Sequence, residues 1–259
     1  MRTTYLPRRV LVTGASSGIG HELARMYLNQ GATVFVAARS ADALASLVNE
    51  FPKTCVALPV DLTDEADAKR AGSKLASITD YLDLAILNAG TCEYVDVRNM
   101  HTEPFAKVNA INWMGTVHSL AFCLPLLRNA KIYGRSAQLV GVSSMASLLP
   151  MPRSQAYGAS KVAIEYLFNS LRVDLAGEDI AITLVRPGFV KTPLTDRNDF
   201  AMPWLMEVDE AAKKIQRGIA ARNWLVQFPL PLVMVMTLIS YLPMAVQISL
   251  LKKISRTSH

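Results

Sequence analysis

The sequence predicts an α/β fold with a single doubly wound parallel sheet of about seven strands, flanked by helices and followed by an apolar helical C-terminal extension. Short apolar runs alternate with helically spaced segments from residue 9 to residue 228, a pattern typical of parallel sheets with crossover helices. A glycine-rich turn separates the first strand from the first helix. The length of 259 residues fits one such domain.

The composition narrows the function classes. Apolar residues make up 51% of the chain, and the net charge is +6. No basic block with interleaved aromatic residues occurs, so we expect no nucleic-acid binding. The three cysteines are widely spaced and form no metal-ligand pattern with the four histidines. We therefore predict no metal site and a reducing, cytoplasmic setting.

The first strand, residues 9–13, runs into a glycine turn that has the form of a phosphate-binding cradle. The glycines let the backbone turn tightly and approach a pyrophosphate, and the N-terminus of the following helix favours an anion. The glycine spacing is one residue longer than in the common dinucleotide fingerprint. The predicted cofactor contacts in this turn are Gly14, Ser16, Ser17, Gly18, Ile19 and Gly20.

The second strand, residues 32–38, ends without an acidic residue and is followed by Arg39. Folds that bind NAD usually place a carboxylate here to hold the ribose hydroxyls, whereas an arginine can pair with the 2′-phosphate of NADP. The sequence therefore favours NADP(H) over NAD(H). The alternative is that Arg39 is an ordinary surface residue.

The third and fourth strands, residues 54–60 and 83–87, each end in residues suited to a cofactor. Asp61, followed by Leu62, could accept a hydrogen bond from an adenine amino group. Alternatively, Asp61 could cap the helix that starts near residue 64. Small residues after the fourth strand let the backbone approach the cofactor. These residues are Asn88, Ala89 and Gly90.

Two polar residues interrupt the apolar stretches that follow. Asn112 lies within a long helical segment, residues 103–127, where a buried amide needs partners. Those partners could simply be neighbouring backbone groups. Ser144 follows an apolar run, residues 138–143, that reads as a buried strand. Ligands of parallel sheets bind at the carboxyl ends of strands, so Ser144 could hold a substrate oxygen.

Tyr157 and Lys161 are four residues apart, so on a helix they share one face. An ammonium group near a phenol favours the phenolate, and we expect it to lower the tyrosine pKa from about 10 towards the range of an acid-base catalyst. The alternative is a surface tyrosine and lysine on an ordinary helix.

Taken together and in their order along the chain, these motifs resemble the classical short-chain dehydrogenase/reductase family, and the resemblance covers about residues 8–228. Each motif alone is weak, whereas their joint occurrence at suitable intervals is specific. The resemblance implies a Rossmann-type fold. It is carried by the glycine turn that begins at Thr13, by Asn88-Ala89-Gly90, Asn112, Ser144, Tyr157-x-x-x-Lys161 and Arg186-Pro187-Gly188.

The resemblance implies a role for each residue of the site. Tyr157 would be the general acid for carbonyl reduction or the base for alcohol oxidation, and Lys161 would lower its pKa and hold the nicotinamide ribose. Ser144, with Ser143 as the adjacent candidate, would bind the substrate oxygen. Asn112 would anchor a water that feeds protons through Lys161. The family also implies a homodimer or homotetramer, and nicotinamide contacts from Pro187, Gly188, Val190 and Thr192.

Residues 1–228 are thus predicted to form the dinucleotide-binding and catalytic domain, with a substrate loop at about residues 191–206. The loop could form an apolar wall for a hydrophobic substrate, or a lid packed on the core. Its apolar side chains are Phe200, Met202, Trp204, Leu205 and Met206.

The C-terminal extension, residues 229–259, contains an uncharged segment, residues 230–251, that Pro243 interrupts. Three interpretations remain open. Residues 230–256 could lie in a membrane surface with Lys252, Lys253 and Arg256 at the headgroups, cap the substrate cleft or form a dimer interface, or span a bilayer.

We therefore predict an NADP(H)-dependent oxidoreductase that transfers a hydride between nicotinamide and the carbonyl or secondary alcohol of a small apolar, lipid-like substrate. One alternative is a 3-oxoacyl-thioester reductase. An alternative of another class is a non-catalytic NADP-binding sensor or membrane-attached scaffold. The predicted location is the cytoplasm. If the extension binds a membrane, we expect peripheral attachment to the inner face of that membrane.

Overall fold

The computed structural model describes residues 6–253, in which seven strands form one parallel sheet. The strand order is β3-β2-β1-β4-β5-β6-β7. The order reverses between β1 and β4, which is where doubly wound sheets bind ligands. The predicted fold class is confirmed. The strands are β1 Arg9–Thr13, β2 Thr33–Ala38, β3 Cys55–Pro59, β4 Leu84–Leu87, β5 Ala137–Val142, β6 Ile180–Pro187 and β7 Leu225–Phe228.

Helices cover both faces of the sheet and extend beyond it at the C-terminus. The predicted helix at residues 103–127 is present, but a π-helical turn, Asn109–Met114, interrupts it between α4 and α5. The helices are α1 Gly18–Asn29, α2 Asp42–Glu50, α3 Glu65–Ile78, α4 Glu103–Val108, α5 Gly115–Asn129, α6 Gln155–Asp174, α7 Val208–Ala220, α8 Leu230–Ser240 and α9 Met244–Lys253.

The sheet is buried on both faces, as the continuous apolar runs of its strands predict. Because side chains alternate along a strand, Val10 and Val12 join the core cluster that contains α1 and α7 residues. Leu11 points the other way, into the cluster that contains residues of α3, α5 and α6. Burial on both sides fixes the register, so the carboxyl ends of the strands meet along one edge.

One close approach sets the position of α6. A Cβ atom added to Gly141 of β5 would lie 2.5 Å from the ring of Phe168, so only glycine lets that helix pack at this distance. Phe168 is fully buried. The contact fixes α6, and therefore Tyr157 and Lys161, against the strand that ends beside Ser144.

The cap of α3 differs from one prediction. Asp64 is the N-cap, and its side chain accepts hydrogen bonds from the backbone amides of Ala66 and Asp67. Asp61 accepts instead from the amide and the hydroxyl of Thr63, at 2.9 and 2.7 Å. The interpretation of Asp61 as the helix cap is therefore wrong, because a second aspartate three residues later occupies that position.

The C-terminal extension forms two short helices rather than one long one. α8 has 11 residues and α9 has 10, which makes each about 15 Å long against the roughly 30 Å of a bilayer core. Neither helix alone is long enough to span a membrane. Both bury residues within the domain, Leu232 and Met236 of α8 and Leu251 of α9. The structure therefore does not support the interpretation that residues 230–251 cross a membrane. A longer helical stretch, Glu103–Tyr133, has the length and hydropathy of a span, but its α5 part packs against β4, β5 and α3 as a core helix does.

Candidate active site

A cavity of about 460 Å³ opens at the carboxyl edge of the sheet, where the predicted catalytic residues meet. Ser144 and Tyr157 lie in its wall. We call this space the inner cavity. Its apolar wall comes from the segments after β4, β5 and β6 and from α8, and includes Tyr94, Phe189, Phe200, Trp204, Leu232 and Met236.

Ser144, rather than its neighbour Ser143, faces the inner cavity. Ser144 directly follows the loop end of β5, and its hydroxyl accepts a hydrogen bond from the amide of Ala146 at 3.1 Å. Ser143 is buried and donates to a carboxylate oxygen of Glu165 at 2.9 Å. This placement favours Ser144 as the residue that could bind a substrate oxygen.

Tyr157 lies in the first turn of α6 and is hydrogen-bonded to Ser144. Burial of the phenol raises the pKa of Tyr157 above its ordinary value, and the hydrogen bond with Ser144 only partly offsets this. The prediction that the pKa of Tyr157 falls below its ordinary value is wrong for this arrangement, since burial is the largest effect. The sequence shows which residues are neighbours, but not how much water reaches the phenol.

Lys161 is itself buried, with 4% of its surface exposed. Burial lowers the pKa of its ammonium group to about 8. Its Nζ donates to the carbonyl oxygen of Val142 at 2.9 Å and lies 5.6 Å from the centre of the Tyr157 ring. Tyr157 and Lys161 therefore share a helix face, as the spacing predicts, but a buried backbone carbonyl engages the ammonium.

Asn112 lies within the π-helical turn and is fully buried. Its amide donates to the carbonyl of Thr91 at 3.0 Å and to the hydroxyl of Ser160 at 2.9 Å, and its oxygen accepts from the Thr91 amide at 2.7 Å. The partners are thus mostly backbone groups, as one alternative supposed. A Cβ atom added to Gly90 would lie 3.3 Å from both Asn112 Oδ1 and Lys161 Nζ, so the three residues meet.

The glycine turn has the shape and the free donors that a pyrophosphate requires. Gly14 and Gly18 have φ angles of +66° and +57°, which favour glycine. A Cβ atom added to Gly20 would lie 2.4 Å from the carbonyl oxygen of Gly14. Ser17, the N-cap of α1, makes no side-chain cap bond, and the first turn of α1 has no acidic residue. The N-terminus of α1 therefore fits an anionic group.

Asn88 and Ala89 hold this turn in place through Thr13. The hydroxyl of Thr13 accepts from the amides of Asn88 and Ala89 at 3.0 and 3.1 Å. The side-chain amide of Asn88 donates to the carbonyls of Thr13 and Gly14 at 3.1 and 3.3 Å. Thr13 belongs to the recognised motif, but its role in joining the ends of β1 and β4 was not predicted.

The segment after β6 connects the inner cavity with the glycine turn. Pro187 and Gly188 line the cavity, and the Gly188 amide donates to the carbonyl of Phe228 at 2.8 Å. Val190 is buried at the core. Thr192 reaches the glycine turn, since its Cγ2 would lie 3.1 Å from a Cβ added to Gly18. The predicted nicotinamide contacts are thus brought beside the predicted phosphate contacts.

Arg39 and Asp61 lie within electrostatic reach of each other, after β2 and β3. Hydrogen bonds from Thr63 lower the pKa of Asp61, and the charge of Arg39 lowers it further. Arg39 is exposed, so its guanidinium can reach a ligand. Leu62 is buried, and its carbonyl accepts a hydrogen bond from Nδ1 of His118 at 2.8 Å. Asp61 and Leu62 therefore lie at the same edge of the sheet as Arg39. The contact of His118 with Leu62 was not predicted.

An ion pair behind Ser144 was missed by the sequence analysis. Two nitrogens of Arg186 donate to the two carboxylate oxygens of Glu165, both at 2.7 Å. The same carboxylate accepts from Ser143 and Ser147. Burial opposes ionisation of Glu165, but Arg186 and the hydroxyls hold its pKa below the ordinary value. The available signal was Glu165, which lies one turn beyond Lys161 on α6.

The predicted substrate loop is divided between wall and core. Phe200 and Trp204 line the inner cavity, whereas Met206 packs against the core. Met202 and Leu205 are absent from the described cavity wall. The loop thus contributes residues both to the cavity wall and to the core packing, and its role towards a substrate stays a prediction. Two contacts fasten the loop, a hydrogen bond from Tyr94 to Asn198 and an ion pair between Arg153 and Asp199 at 2.8 Å.

Comparison of the sequence with known proteins gives consistent matches. The family model for short chain dehydrogenases matches residues 8–201. An uncharacterized oxidoreductase from Myxococcus xanthus is 35% identical over 86% of this chain and 87% of that protein. The rhamnolipids biosynthesis 3-oxoacyl-acyl-carrier-protein reductase of Pseudomonas aeruginosa is 33% identical over 79% of this chain and 81% of that protein.

Solved structures agree with the sequence matches. The complex of Pseudomonas aeruginosa RhlG with NADP superimposes with a TM-score of 0.77 and 28% identity, over 85% of this chain and 94% of that chain. A short-chain dehydrogenase/reductase from Burkholderia phymatum in complex with NAD gives a TM-score of 0.82 over 99% of each chain. Because the sequence identity is 21%, this second match supports the fold alone.

Proposed function

Because the chain belongs to the short-chain dehydrogenase/reductase family and is a nicotinamide-dependent oxidoreductase, we propose that it interconverts a carbonyl group and a secondary alcohol on an apolar substrate, using NADP(H). The observation that carries this proposal is the hydrogen-bonded pair of Ser144 and Tyr157 in the wall of an apolar cavity. A cavity of this character suits an apolar ligand with one polar group to orient.

The chemistry assigned to the chain is proton transfer and orientation. The nicotinamide, when bound, supplies or accepts the hydride at the substrate carbon. In reduction, Tyr157 donates its proton to the carbonyl oxygen while Ser144 donates a hydrogen bond to the same oxygen. Burial raises the pKa of Tyr157, so the phenol is protonated at neutral pH and carries the proton that reduction requires.

Lys161 and Asn112 support that transfer. The ammonium of Lys161 lies close enough to the ring of Tyr157 to stabilise the phenolate that remains after donation. The buried amide of Asn112 fixes the π-helical turn against Thr91, and thus the backbone beside Lys161. These two residues, with Ser144 and Tyr157, form the proposed catalytic set.

The proposed preference for NADP(H) rests on Arg39. Arg39→Asp should weaken NADPH binding by more than about tenfold, since a hydrogen bond to a charged group contributes about 1.5–3 kcal/mol. NADH binding should change little or improve. Fluorescence titration of both cofactors measures this, with the exposed Arg98→Asp as the matched control. An unchanged ratio of the two dissociation constants would show that another residue selects the cofactor.

A second candidate is reduction of 3-oxoacyl thioesters, which the relative from Pseudomonas aeruginosa favours by its name. Docking of an acidic carrier protein needs free basic residues near the entrance. Arg128 pairs with Glu178, and Arg135 pairs with Asp83. Glu178 and Asp83 precede β6 and β4, so both cations lie at the amino edge of the sheet, opposite the inner cavity. We therefore rank free ketones above carrier-bound thioesters, and assays with both substrate types distinguish the two.

Assembly is proposed from the exposed face of α6. Val162, Tyr166 and Val173 expose 49, 80 and 76% of their surfaces. Apolar side chains on one helix face favour contact with a second copy of the chain. We propose a homodimer through this face, or a homotetramer that contains it.

The outer face of α8 is a proposed membrane contact. Leu230, Leu238 and Tyr241 expose 68, 71 and 84% of their surfaces, and Lys252 is an exposed cation in α9. Apolar side chains beside a cation suit an anionic membrane surface. Arg256 and the side chain of Lys253, also predicted at the headgroups, lie outside the described residues. Peripheral attachment in the cytoplasm accordingly stays a prediction.

Sedimentation with phosphatidylserine-containing vesicles tests this contact. We expect the protein to pellet with the vesicles, and Leu238→Lys to lower the bound fraction by about tenfold, since burying a leucine contributes about 1.5–3 kcal/mol. Ile132→Lys is the matched control, because Ile132 is 78% exposed but follows α5. A protein that stays in the supernatant, or equal effects of the two variants, would contradict the proposal.

A further inference from the structure

A second space adjoins the inner cavity. It has a volume of about 650 Å³ and lies between α9 and the segment that connects β5 with α6. We call it the outer groove. It borders Met244 and Ile248 on α9 and runs along the first turns of α6 as far as Val162. The residues that line both spaces are Ala146, Leu149, Met151, Ser154 and Leu251.

Leu251 and Leu149 form the boundary between the two spaces. Leu251 exposes 5% of its surface and Leu149 exposes 3%, and each lines both the inner cavity and the outer groove. Two buried leucines thus stand where the two spaces meet. Aliphatic side chains change rotamer readily compared with a strand or a helix, so this boundary can yield to a ligand.

Gln247 determines where Leu251 lies. The side-chain amide of Gln247 is buried and donates to the carbonyls of Ser240 and Leu242, at 3.2 and 2.8 Å. These bonds close the turn between α8 and α9. Leu251 is one helical turn further along the same face. The polar contact of Gln247 therefore directs Leu251 towards Tyr157 instead of towards solvent.

The two spaces share one chemical character. Among the described residues that line them, Lys252, at the outer groove, is the one charged side chain. The rest of the outer groove is lined largely by aliphatic, methionine and proline side chains. A path of this kind fits a ligand that is long, narrow and apolar, with its polar group at the Tyr157 end.

We propose that the substrate carries its carbonyl group on a long unbranched hydrocarbon chain, which passes Leu251 from the inner cavity into the outer groove. This inference rests on the proposed function and names its substrate class. A compact ring system fills the inner cavity but gains nothing from the outer groove. Leu251 is then the residue that sets how long a chain the protein accepts.

Steady-state assays with NADPH and straight-chain methyl ketones of about six to about sixteen carbons test this inference. Each buried methylene should raise kcat/KM by about fourfold, and the rise should continue past the length that fills the inner cavity. Leu251→Trp and Ile248→Trp narrow the path at two places. Each should lower the ratio of long-chain to short-chain kcat/KM by at least about tenfold. Ile132→Trp, at the exposed position after α5, should leave that ratio unchanged.

Two outcomes separate this inference from the proposed function. If short ketones are reduced, but kcat/KM stops rising at the length of the inner cavity or neither tryptophan variant changes the ratio, the path past Leu251 is wrong and the reductase stands. If no ketone is reduced although NADPH binds, the proposed function itself fails. Two variants are used because a single tryptophan could change the ratio by disturbing the packing of α9. The same change in the ratio for both variants indicates that the hydrocarbon chain passes both positions.

Discussion

Replacement of Tyr157 by phenylalanine is expected to lower kcat/KM for ketone reduction by about 10²–10⁴-fold, the usual contribution of a positioned general acid. The variant keeps the ring, and with it the packing beside Lys161 and the wall of the inner cavity. It removes the hydroxyl that the structure places in hydrogen-bond contact with Ser144. The loss should appear mainly in kcat, because the hydroxyl acts as the proton moves.

The matched control is Tyr166→Phe on the same helix. Tyr166 is 80% exposed and lies more than two turns from Tyr157, so its hydroxyl has no role in the inner cavity. NADPH binding should be retained by both variants, because the glycine turn and Arg39 are untouched. If Tyr157→Phe keeps kcat within a few-fold of the wild type, the proton comes from another group, and the assignment of Tyr157 is wrong.

The same experiment separates the enzyme from the sensor or scaffold alternative. A sensor would bind NADPH and show no turnover in the wild type, so that Tyr157→Phe would have nothing to remove. The chain instead keeps Ser144 and Tyr157 in the wall of one cavity. Lys161 Nζ lies 5.6 Å from the centre of the Tyr157 ring, and Asn112 lies beside Lys161 at Gly90. Asn112 and Lys161 are both buried and hydrogen-bonded. Burial of an ammonium that pairs with no carboxylate among the described residues is costly, which favours a role for the group beyond stability.

The sequence was sufficient for the fold because each strand is short, apolar and followed by a helix. The order of the sheet follows from the glycine turn after β1, which marks the point where the strand order reverses. The positions of the candidate site residues at the sheet edge were predictable for a related reason. Thr13, Asn88, Ser144 and Gly188 each follow the end of a strand or terminate it, and parallel strands bring their carboxyl ends together.

Two features were not predictable, because they depend on burial and on distant partners. Burial raises the pKa of Tyr157, whereas the sequence predicted a lowered pKa. The helix spacing to Lys161 gives no information on how far residues of the predicted substrate loop and of α8 exclude water from the phenol. Glu165 was overlooked because its partner, Arg186, is 21 residues away in sequence. The C-terminal extension was ambiguous for the same reason, since an apolar segment indicates burial but not what it is buried against.

Replacement of Glu165 by glutamine is expected to lower the free energy of unfolding by about 3 kcal/mol at neutral pH, the lower end of the loss found when one partner of a buried ion pair is removed. Arg186 would keep its charge without a carboxylate. The two side chains expose 20 and 12% of their surfaces, Arg186 being the more exposed, so water compensates only part of the loss. Chemical denaturation of both proteins measures the difference.

The exposed pair of Arg128 and Glu178 supplies the matched control, since Glu178→Gln removes a carboxylate from a pair that water reaches on both sides. We expect that variant to change stability little, because exposed ion pairs contribute little. A loss at Glu178 that equals the loss at Glu165 would mean that burial is not what gives the inner pair its strength.

The dependence on pH distinguishes charge from shape. The pKa of Glu165 is depressed in the folded protein, so its contribution is complete above the ordinary glutamate pKa of about 4.3 and is lost as the pH falls through the folded value. The stability gap between wild type and Glu165→Gln should therefore be constant at neutral pH and narrow in acid, where the native side chain also becomes neutral. A gap that stays constant into acid would assign the loss to packing around Ser143 and Ser147. In that case the ion pair would not be what holds the end of β5, and with it Ser144, in place beside Tyr157.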